Sequence, residues 1–263
     1  MKEGIHMQSY KGYLIDLDGT MYKGTERIEA ASDFVKALQE KEIPHLFVTN
    51  NSSRRPEQVA EKLNTFDIPA RPEQIFTSST ATGSYIKERK EQARVFAIGE
   101  EGLFHTLRES GHKLVEDDCD FVVMGIDREI TYEKLAIACL QVRNGATFLS
   151  TNGDIAIPTE RGMLPGNGSL TSVVTVSTGV EPTFIGKPES IIMDQAIEAL
   201  GLSKEDVMMV GDNYHTDILA GMNAGLDTLH VQTGVTTKEL LSQYERQPTY
   251  SIASLSEWIP NLS

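Results

Sequence analysis

The sequence predicts an α/β fold built on parallel strands, and three observations support this prediction. Short apolar runs alternate with amphipathic segments along the 263-residue chain. The runs recur at intervals of roughly 30 to 40 residues, which leaves room for a helix between successive strands. Hydrophobic residues make up 40% of the chain and charged residues 24%, the ordinary balance of a globular protein with a real core.

The individual elements follow from hydrophobic periodicity. The first strand is predicted at 13–15, and the next segment repeats Ala31, Phe34, Val35 and Leu38 at helical spacing. Later pairs of a strand and a helix are predicted at 46–48 and 55–65, 95–98 and 101–110, 121–124 and 131–143, and 207–210 and 215–224. Residues 152–168 are rich in Gly, Asn and Pro, which predicts a long loop.

Charge and cysteine content argue against several classes of protein. The net charge is −14, which argues against nucleic acid as a partner, because phosphate neutralisation needs clustered basic residues. No apolar run approaches the ~20 residues of a membrane span. The chain start lacks a signal segment, and Met7 is a candidate initiator behind a six-residue extension. Cys119 and Cys139 form no CxxC pair, so we expect a cytoplasmic protein.

The strongest chemical signal is a pair of carboxylates, Asp16 and Asp18, directly after the first apolar run. Ligands bind beyond the carboxyl ends of parallel strands, so both side chains are expected at the mouth of a crevice. Gly19 lets the backbone turn away from strand geometry there. The two carboxylates can then converge on one metal ion or one reacting group. The alternative is an acidic turn that leads into a helix.

Polar groups also follow the second predicted strand and a short strand near residue 184. Thr49 and Asn50 offer neutral donors to an oxyanion, although this region can equally cap the following helix. Lys187 precedes a proline and can balance the charge of carboxylates and phosphate together. Taken alone, it would be a solvated surface residue.

A second acidic segment follows the strand at 207–210. Asp212 stands at that strand end as Asp16 does at the first, and hard oxygen ligands of this type suit magnesium. Asp217 falls in the first turn of the next helix, where the alternative role is favourable capping. The chain contains no GxGxxG, GK[ST], GxSxG or HExxH pattern, which weakens nucleotide-fold, serine hydrolase and zinc interpretations.

Together, DLDGT at 16–20, VTNNS at 48–52, GKP at 186–188 and GDNYHTD at 211–217 resemble the four motifs of the haloacid dehalogenase-type phosphatases, in the same order. The resemblance implies a doubly wound parallel, Rossmann-like core formed by residues 1–79 and 180–263. Residues 80–179 would then form an inserted α/β cap. Such a cap is typical of the NagD-like branch, which includes p-nitrophenyl, acid sugar and phosphoglycolate phosphatases.

The resemblance also implies a role for each motif residue. Asp16 would be the nucleophile, and Asp18 would protonate the leaving group and later activate water. Mg²⁺ would be held by Asp16, the main-chain carbonyl of Asp18 and Asp212, with Asp217 behind them. Thr49, Asn50 and Lys187 would bind phosphoryl oxygens.

Within the expected cap, residues 125–132 resemble the branch's substrate-specificity loop. We assign Asp127, Arg128 and Glu129 to specificity, because the planar guanidinium of Arg128 suits a substrate carboxylate. The alternative is that Arg128 pairs with Asp127, Glu129 or Glu133 on a solvated face.

The predicted function is a magnesium-dependent phosphomonoester hydrolase of small phosphorylated metabolites, such as sugar phosphates, sugar-acid phosphates or phosphoglycolate. Phosphoryl transfer to a second substrate is one alternative. A phosphometabolite-binding protein without turnover is another, although a binder needs neither Asp16 nor Asp18. The sequence leaves open whether the chain forms a homodimer.

Overall fold

The computed structural model describes residues 9–263, and the candidate initiator Met7 lies outside them. In chain order the strands are β1 Gly12–Ile15, β2 Tyr22–Lys23, β3 Glu26–Arg27, β4 His45–Thr49, β5 Ile75–Thr77, β6 Arg94–Ile98, β7 Lys113–Leu114, β8 Phe121–Met124, β9 Thr147–Ser150, β10 Ala156–Thr159, β11 Gly162–Pro165, β12 Thr183–Phe184, β13 Val207–Gly211, β14 Asp227–Val231 and β15 Tyr250–Ile252.

The helices alternate with these strands. They are α1 Glu29–Glu40, α2 Pro56–Thr65, α3 Ser78–Arg89, α4 Glu101–Glu109, α5 Tyr132–Arg143, α6 Asn167–Thr178, α7 Ser190–Leu200, α8 Leu219–Ala224 and α9 Lys238–Leu241. Helix α1 buries the predicted apolar stripe, including Phe34, Val35 and Leu38, as its 3.6-residue period requires. Helices α3 and α5 begin at Thr77 and Thr131, whose side chains accept the N–H of the residue three positions later.

The chain divides into two compact units. The first unit comprises the residues up to Val48, Ala60–Ile75 and Ala196–Ser263, and the second comprises Thr49–Val59 and Phe76–Gln195. The boundaries predicted after residues 79 and 179 stay a prediction.

The larger sheet has six strands in the order β15-β14-β13-β1-β4-β5. The pairs β15–β14, β14–β13, β13–β1 and β1–β4 are parallel. Strands β1 and β13 are buried along their whole length, which explains why they appear in the sequence as continuous apolar runs. Because β1 and β13 are neighbours, the residues that follow them emerge side by side.

The second sheet has five strands in the order β12-β9-β8-β6-β7, and all four pairings are parallel. Alternate residues of β8 enter two different apolar clusters. Phe121 and Val123 pack with residues of α3 and α4, whereas Val122 and Met124 pack with residues of α5 and α6. Helices therefore cover both faces of this sheet. The predicted α/β class with parallel sheets is confirmed.

One local prediction was wrong. Residues 152–168 do not form a long loop, because β10 and β11 pair there as an antiparallel hairpin and α6 begins at Asn167. The helix predicted at 215–224 is present, but its first turn, Tyr214–Ile218, is π-helical and continues into the short α8. Among residues 9–263, no helix has the length and apolar character needed to cross a membrane.

Candidate active site

Asp16 is placed by the strand that precedes it. Its N–H donates to the carbonyl of Val210 at 2.9 Å, so Asp16 continues the ladder between β1 and β13 by one residue. The residue is 8% exposed. The chain then turns tightly, because the N–H groups of Thr20 and Met21 donate to the carbonyl of Leu17 at 3.1 and 2.7 Å. Asp18, on this turn, is exposed to solvent.

Asp212 and Asp217 reach the same place from the neighbouring strand. Asp212 directly follows β13, and the π-helical turn brings Asp217 back towards it. The N–H of Asn213 donates to Oδ2 of Asp217 at 3.0 Å, which fixes that carboxylate. Asp212 is fully buried and Asp217 is 1% exposed.

The structure brings Asp16, Asp212 and Asp217 into one cluster, in which one carboxylate oxygen of each lies within 4.8 Å of the others. Carboxylates this close and this buried repel one another unless a cation or a proton compensates them. Hard oxygen ligands at this spacing fit a divalent ion. The cluster can therefore bind a divalent metal. The carboxylate of Asp18 is not part of this cluster.

Neighbouring groups hold Asp212 from two sides. The buried hydroxyl of Thr20 donates to Oδ1 at 3.0 Å, and the N–H of Val235 donates to Oδ2 at 2.7 Å. Gly19 has φ +92°, and a Cβ at that position would lie 2.3 Å from Oδ2 of Asp212. The glycine is thus required both by its backbone conformation and by the close approach of the carboxylate.

A neutral histidine supports the loop around Asp212. Burial lowers the pKa of His230, and its Nε2–H donates to the carbonyl of Thr236 at 3.0 Å. Thr236 in turn donates its N–H to the main-chain carbonyl of Asp212 at 3.2 Å. Neither this support nor the bonds from Thr20 and Val235 were predicted from the sequence. Thr20 has a signal in the DLDGT motif, but a main-chain donor such as Val235 has none.

The second unit contains Thr49, Asn50 and Lys187. Lys187 is 2% exposed and lies two residues after Ile185, whose N–H continues the β9–β12 ladder through the carbonyl of Ser150 at 3.0 Å. Asn50 meets Lys187 directly: its Oδ1 accepts the Lys187 N–H at 2.8 Å, and its Nδ2 donates to the Lys187 carbonyl at 2.9 Å. The structure thus brings these two predicted residues together. Thr49 accepts the N–H of Asn51 through its hydroxyl at 3.1 Å.

The predicted specificity loop is held by its own charged residues. Asp127 is 4% exposed; it accepts the Glu129 N–H at 2.8 Å and the ammonium of Lys134 at 2.8 Å. Arg128 pairs with Glu100 through Nη1, at 2.9 and 2.8 Å from the two carboxylate oxygens. The pairing of Arg128 with Glu100 was not predicted, because the two residues lie 28 positions apart in the sequence. The assignment of this loop to specificity stays a prediction.

Comparison with known families agrees with this fold. A family model described as haloacid dehalogenase-like hydrolase matches residues 13–113, and a second, HAD-hydrolase-like model matches residues 184–258. The chain belongs to the haloacid dehalogenase-like hydrolases.

Individual relatives of this chain are named phosphatases or a nucleotidase. The 5'-nucleotidase YutF of Bacillus subtilis (strain 168) is 63% identical over 254 residues, which are 97% of this chain and 99% of that protein. An acid sugar phosphatase of Staphylococcus aureus (strain USA300) is 57% identical, again over 97% and 99%. The solved p-nitrophenyl phosphatase from Archaeoglobus fulgidus shares 35% identity with a TM-score of 0.92, over 97% of this chain and all of that one. The predictions of a phosphatase and of its NagD-like branch are confirmed.

Proposed function

We propose that this phosphatase is a magnesium-dependent phosphomonoester hydrolase that works through an aspartyl-phosphate. The observation that carries the proposal is the placement of Asp16 at the carboxyl end of β1, clustered with Asp212 and Asp217. The role of each residue follows from the family motif that it matches.

In the first step an oxygen of the Asp16 carboxylate attacks phosphorus. The bond between phosphorus and the ester oxygen breaks, and Asp18 donates a proton to the departing alkoxide. In the second step Asp18 takes a proton from a water molecule, which attacks the aspartyl-phosphate. Inorganic phosphate leaves and the Asp16 carboxylate is restored. The solvent exposure of Asp18 supports this role, because the group has to exchange protons in every cycle.

Asp16, the main-chain carbonyl of Asp18 and Asp212 are the groups we assign to Mg²⁺, with Asp217 supporting the site. When bound, the ion would neutralise charge on the carboxylates and on the phosphoryl oxygens. Magnesium suits the donor set, because it favours a few carboxylates together with waters and a substrate phosphate. The hydrogen bonds from Thr20 and Val235 would fix the direction of the Asp212 oxygens.

We assign Thr49, Asn50 and Lys187 to the phosphoryl oxygens, where charge develops in the transition state. The Lys187 ammonium supplies positive charge that this acidic protein must provide locally. Asn50 contributes through its main-chain N–H, since its side-chain amide already bonds to the main chain of Lys187.

The proposed substrates are small phosphorylated metabolites, with sugar phosphates and sugar-acid phosphates first. The acid sugar phosphatase among the relatives supports this class. The 5'-nucleotidase among the relatives adds nucleoside 5'-monophosphates to the substrates worth testing. We also propose a cytoplasmic location, because Cys119 and Cys139 are both free thiols.

Hydrolysis of p-nitrophenyl phosphate with magnesium, and with excess chelator, tests the proposal. Asp16→Asn is nearly isosteric but cannot attack phosphorus, so its rate should fall below a few percent of wild type. Asp33→Asn, on the exposed side of α1, is the matched control and should keep full activity.

Full activity in chelator, or in Asp16→Asn, would overturn the mechanism. Release of inorganic phosphate should equal release of p-nitrophenolate. A deficit of phosphate in the presence of an added alcohol would instead favour the phosphotransferase alternative.

A further inference from the structure

One side-chain amide, that of Asn50, holds both polar main-chain groups of Lys187. Its Oδ1 accepts the N–H at 2.8 Å and its Nδ2 donates to the carbonyl at 2.9 Å. Two bonds to the same residue fix its orientation as well as its position. The two residues lie 137 positions apart, so this contact joins two segments that are distant in the sequence.

A carboxylate sets the direction of this amide. The Nδ2 of Asn50 also donates to Oδ2 of Asp154 at 3.3 Å, and the same oxygen accepts Nδ2 of Asn152 at 2.7 Å. Rotating the Asn50 amide by half a turn would point its oxygen at the Asp154 carboxylate and at the Lys187 carbonyl. Both are acceptors, so the rotated state loses its bonds and adds repulsion.

Gly186, the residue before Lys187, packs closely against the Asn50 amide. A Cβ on Gly186 would lie 2.6 Å from Oδ1 of Asn50 and 2.6 Å from the carbonyl of Thr151. Gly186 also donates its N–H to that carbonyl at 2.8 Å. The main chain that carries Lys187 is therefore pressed directly against the Asn50 amide.

Both N–H donors of the Asn50 side chain are already used. A primary amide has two N–H donors, and here they meet two acceptors, the Lys187 carbonyl and the Asp154 carboxylate. Lysine, in contrast, carries its charge on a flexible four-carbon stem, and only a fixed main chain limits where that charge can go.

We infer that Asn50 and Asp154 are positioning residues for Lys187: Asp154 holds the amide of Asn50, and that amide holds the Lys187 main chain so that its ammonium meets the phosphoryl group. The inference rests on the proposed role of Lys187. It gives a function to the Asn152–Asp154 segment, which the catalytic roles leave unassigned.

A double-mutant cycle tests the inference with p-nitrophenyl phosphate hydrolysis and with inhibition by inorganic phosphate. A misplacement of about 1 Å can cost roughly 100-fold in rate, so Asn50→Ala should lower kcat/KM by about 10- to 100-fold and weaken phosphate inhibition. In a Lys187→Met background the same change should add less than about twofold, because nothing remains to be positioned. Asp154→Ala should lower kcat/KM in the wild-type background and have no further effect beside Asn50→Ala.

Asn64→Ala is the matched control, since the Asn64 amide likewise holds both main-chain groups of one residue: its Oδ1 accepts the Ala70 N–H at 3.3 Å and its Nδ2 donates to the Ala70 carbonyl at 2.8 Å. It should cost stability but leave kcat/KM unchanged.

If the losses of kcat/KM from Asn50→Ala and Lys187→Met multiply in the double mutant, the amide acts on substrate directly, and the inference is overturned. Wild-type activity in Asn50→Ala would do the same. Should Asn50→Ala not fold, the Asp154→Ala variant alone decides, with wild-type kcat/KM counting against the inference. Wild-type activity in Lys187→Met would instead overturn the proposed role of Lys187.

Discussion

Replacing Thr20 by valine tests how the buried carboxylate of Asp212 is held. Valine keeps the shape of threonine and removes the hydroxyl, which donates to Oδ1 of Asp212 at 3.0 Å and lies 3.5 Å from Oδ2 of Asp16. Thr20 is fully buried, so the lost bond is not replaced easily by bulk water. A hydrogen bond to a charged group contributes about 1.5 to 3 kcal/mol. We expect the free energy of unfolding in chelator to fall by about 2 kcal/mol.

The same change should also weaken magnesium dependence. Partners that orient a metal-binding side chain typically contribute about 10- to 100-fold to metal affinity. The magnesium concentration for half-maximal hydrolysis of p-nitrophenyl phosphate should therefore rise about tenfold in Thr20→Val. Stability is measured by urea unfolding followed by circular dichroism, and metal dependence by titrating Mg²⁺ into the assay.

Thr20→Ser separates the hydroxyl from the packing of the methyl group. Serine keeps the donor and loses one methyl, which costs about 1 kcal/mol in a buried site. It should keep the magnesium requirement of the wild type. The reasoning fails if Thr20→Ser raises that requirement as much as Thr20→Val does, or if Thr20→Val matches the wild type in both measurements.

Three further changes probe separate parts of the chain. Asp18→Asn should slow hydrolysis of alkyl phosphates far more than that of p-nitrophenyl phosphate, because a good leaving group needs little acid help; equal losses on both substrates contradict the acid role. Arg128→Ala should raise KM for sugar-acid phosphates and spare neutral sugar phosphates, and a uniform change across substrates would exclude it from specificity. Burial lowers the pKa of His45 from its ordinary value of 6.5, so the unfolded chain takes up the proton first as the pH falls. The free energy of unfolding should thus decline between about pH 7 and pH 5, and less steeply in His45→Gln; parallel curves would refute this.

The His45 prediction also has a geometric basis. The Nδ1–H of His45 donates to the carbonyl of Ile43 at 3.1 Å. The Nε2 of His45 accepts an N–H from the side-chain amide of Gln74 at 3.1 Å. A proton added at Nε2 would face the Gln74 donor. The neutral ring is therefore the form that fits the fold.

The sequence was most informative where burial was strongest. The run at 207–210 predicted β13 and placed Asp212 at its carboxyl end, and the family resemblance predicted that Asp212 would join Asp16. Continuous apolar runs of this kind are produced by parallel strands that are covered on both faces. Asp16 and Asp212 converge because β1 and β13 are neighbours, and the order of the motifs along a known family made that pairing predictable.

Short, exposed elements gave weaker signals. The β10–β11 hairpin lies in a segment rich in Gly and Pro, and five of its eight strand residues are exposed, so no alternation marked it as a strand pair. The bond from Val235 to Asp212 and the pairing of Arg128 with Glu100 join distant positions without any local pattern. The Asn50 amide was assigned to phosphate for the same reason: residue type suggests a donor but does not say which acceptor it meets.

The pairing of β1 with β13 has a consequence for the order in which the nascent chain folds. Asp212 follows Asp16 by 196 residues, and translation at roughly 5 to 20 residues per second separates them by about 10 to 40 s. During that time β4 can pair with one edge of β1, while the other edge waits for β13. The five-stranded sheet needs no residue beyond Phe184, so its strands are complete before β13 is made. The carboxylate cluster is thus assembled late, and until then one edge of β1 is open to pairing with another chain.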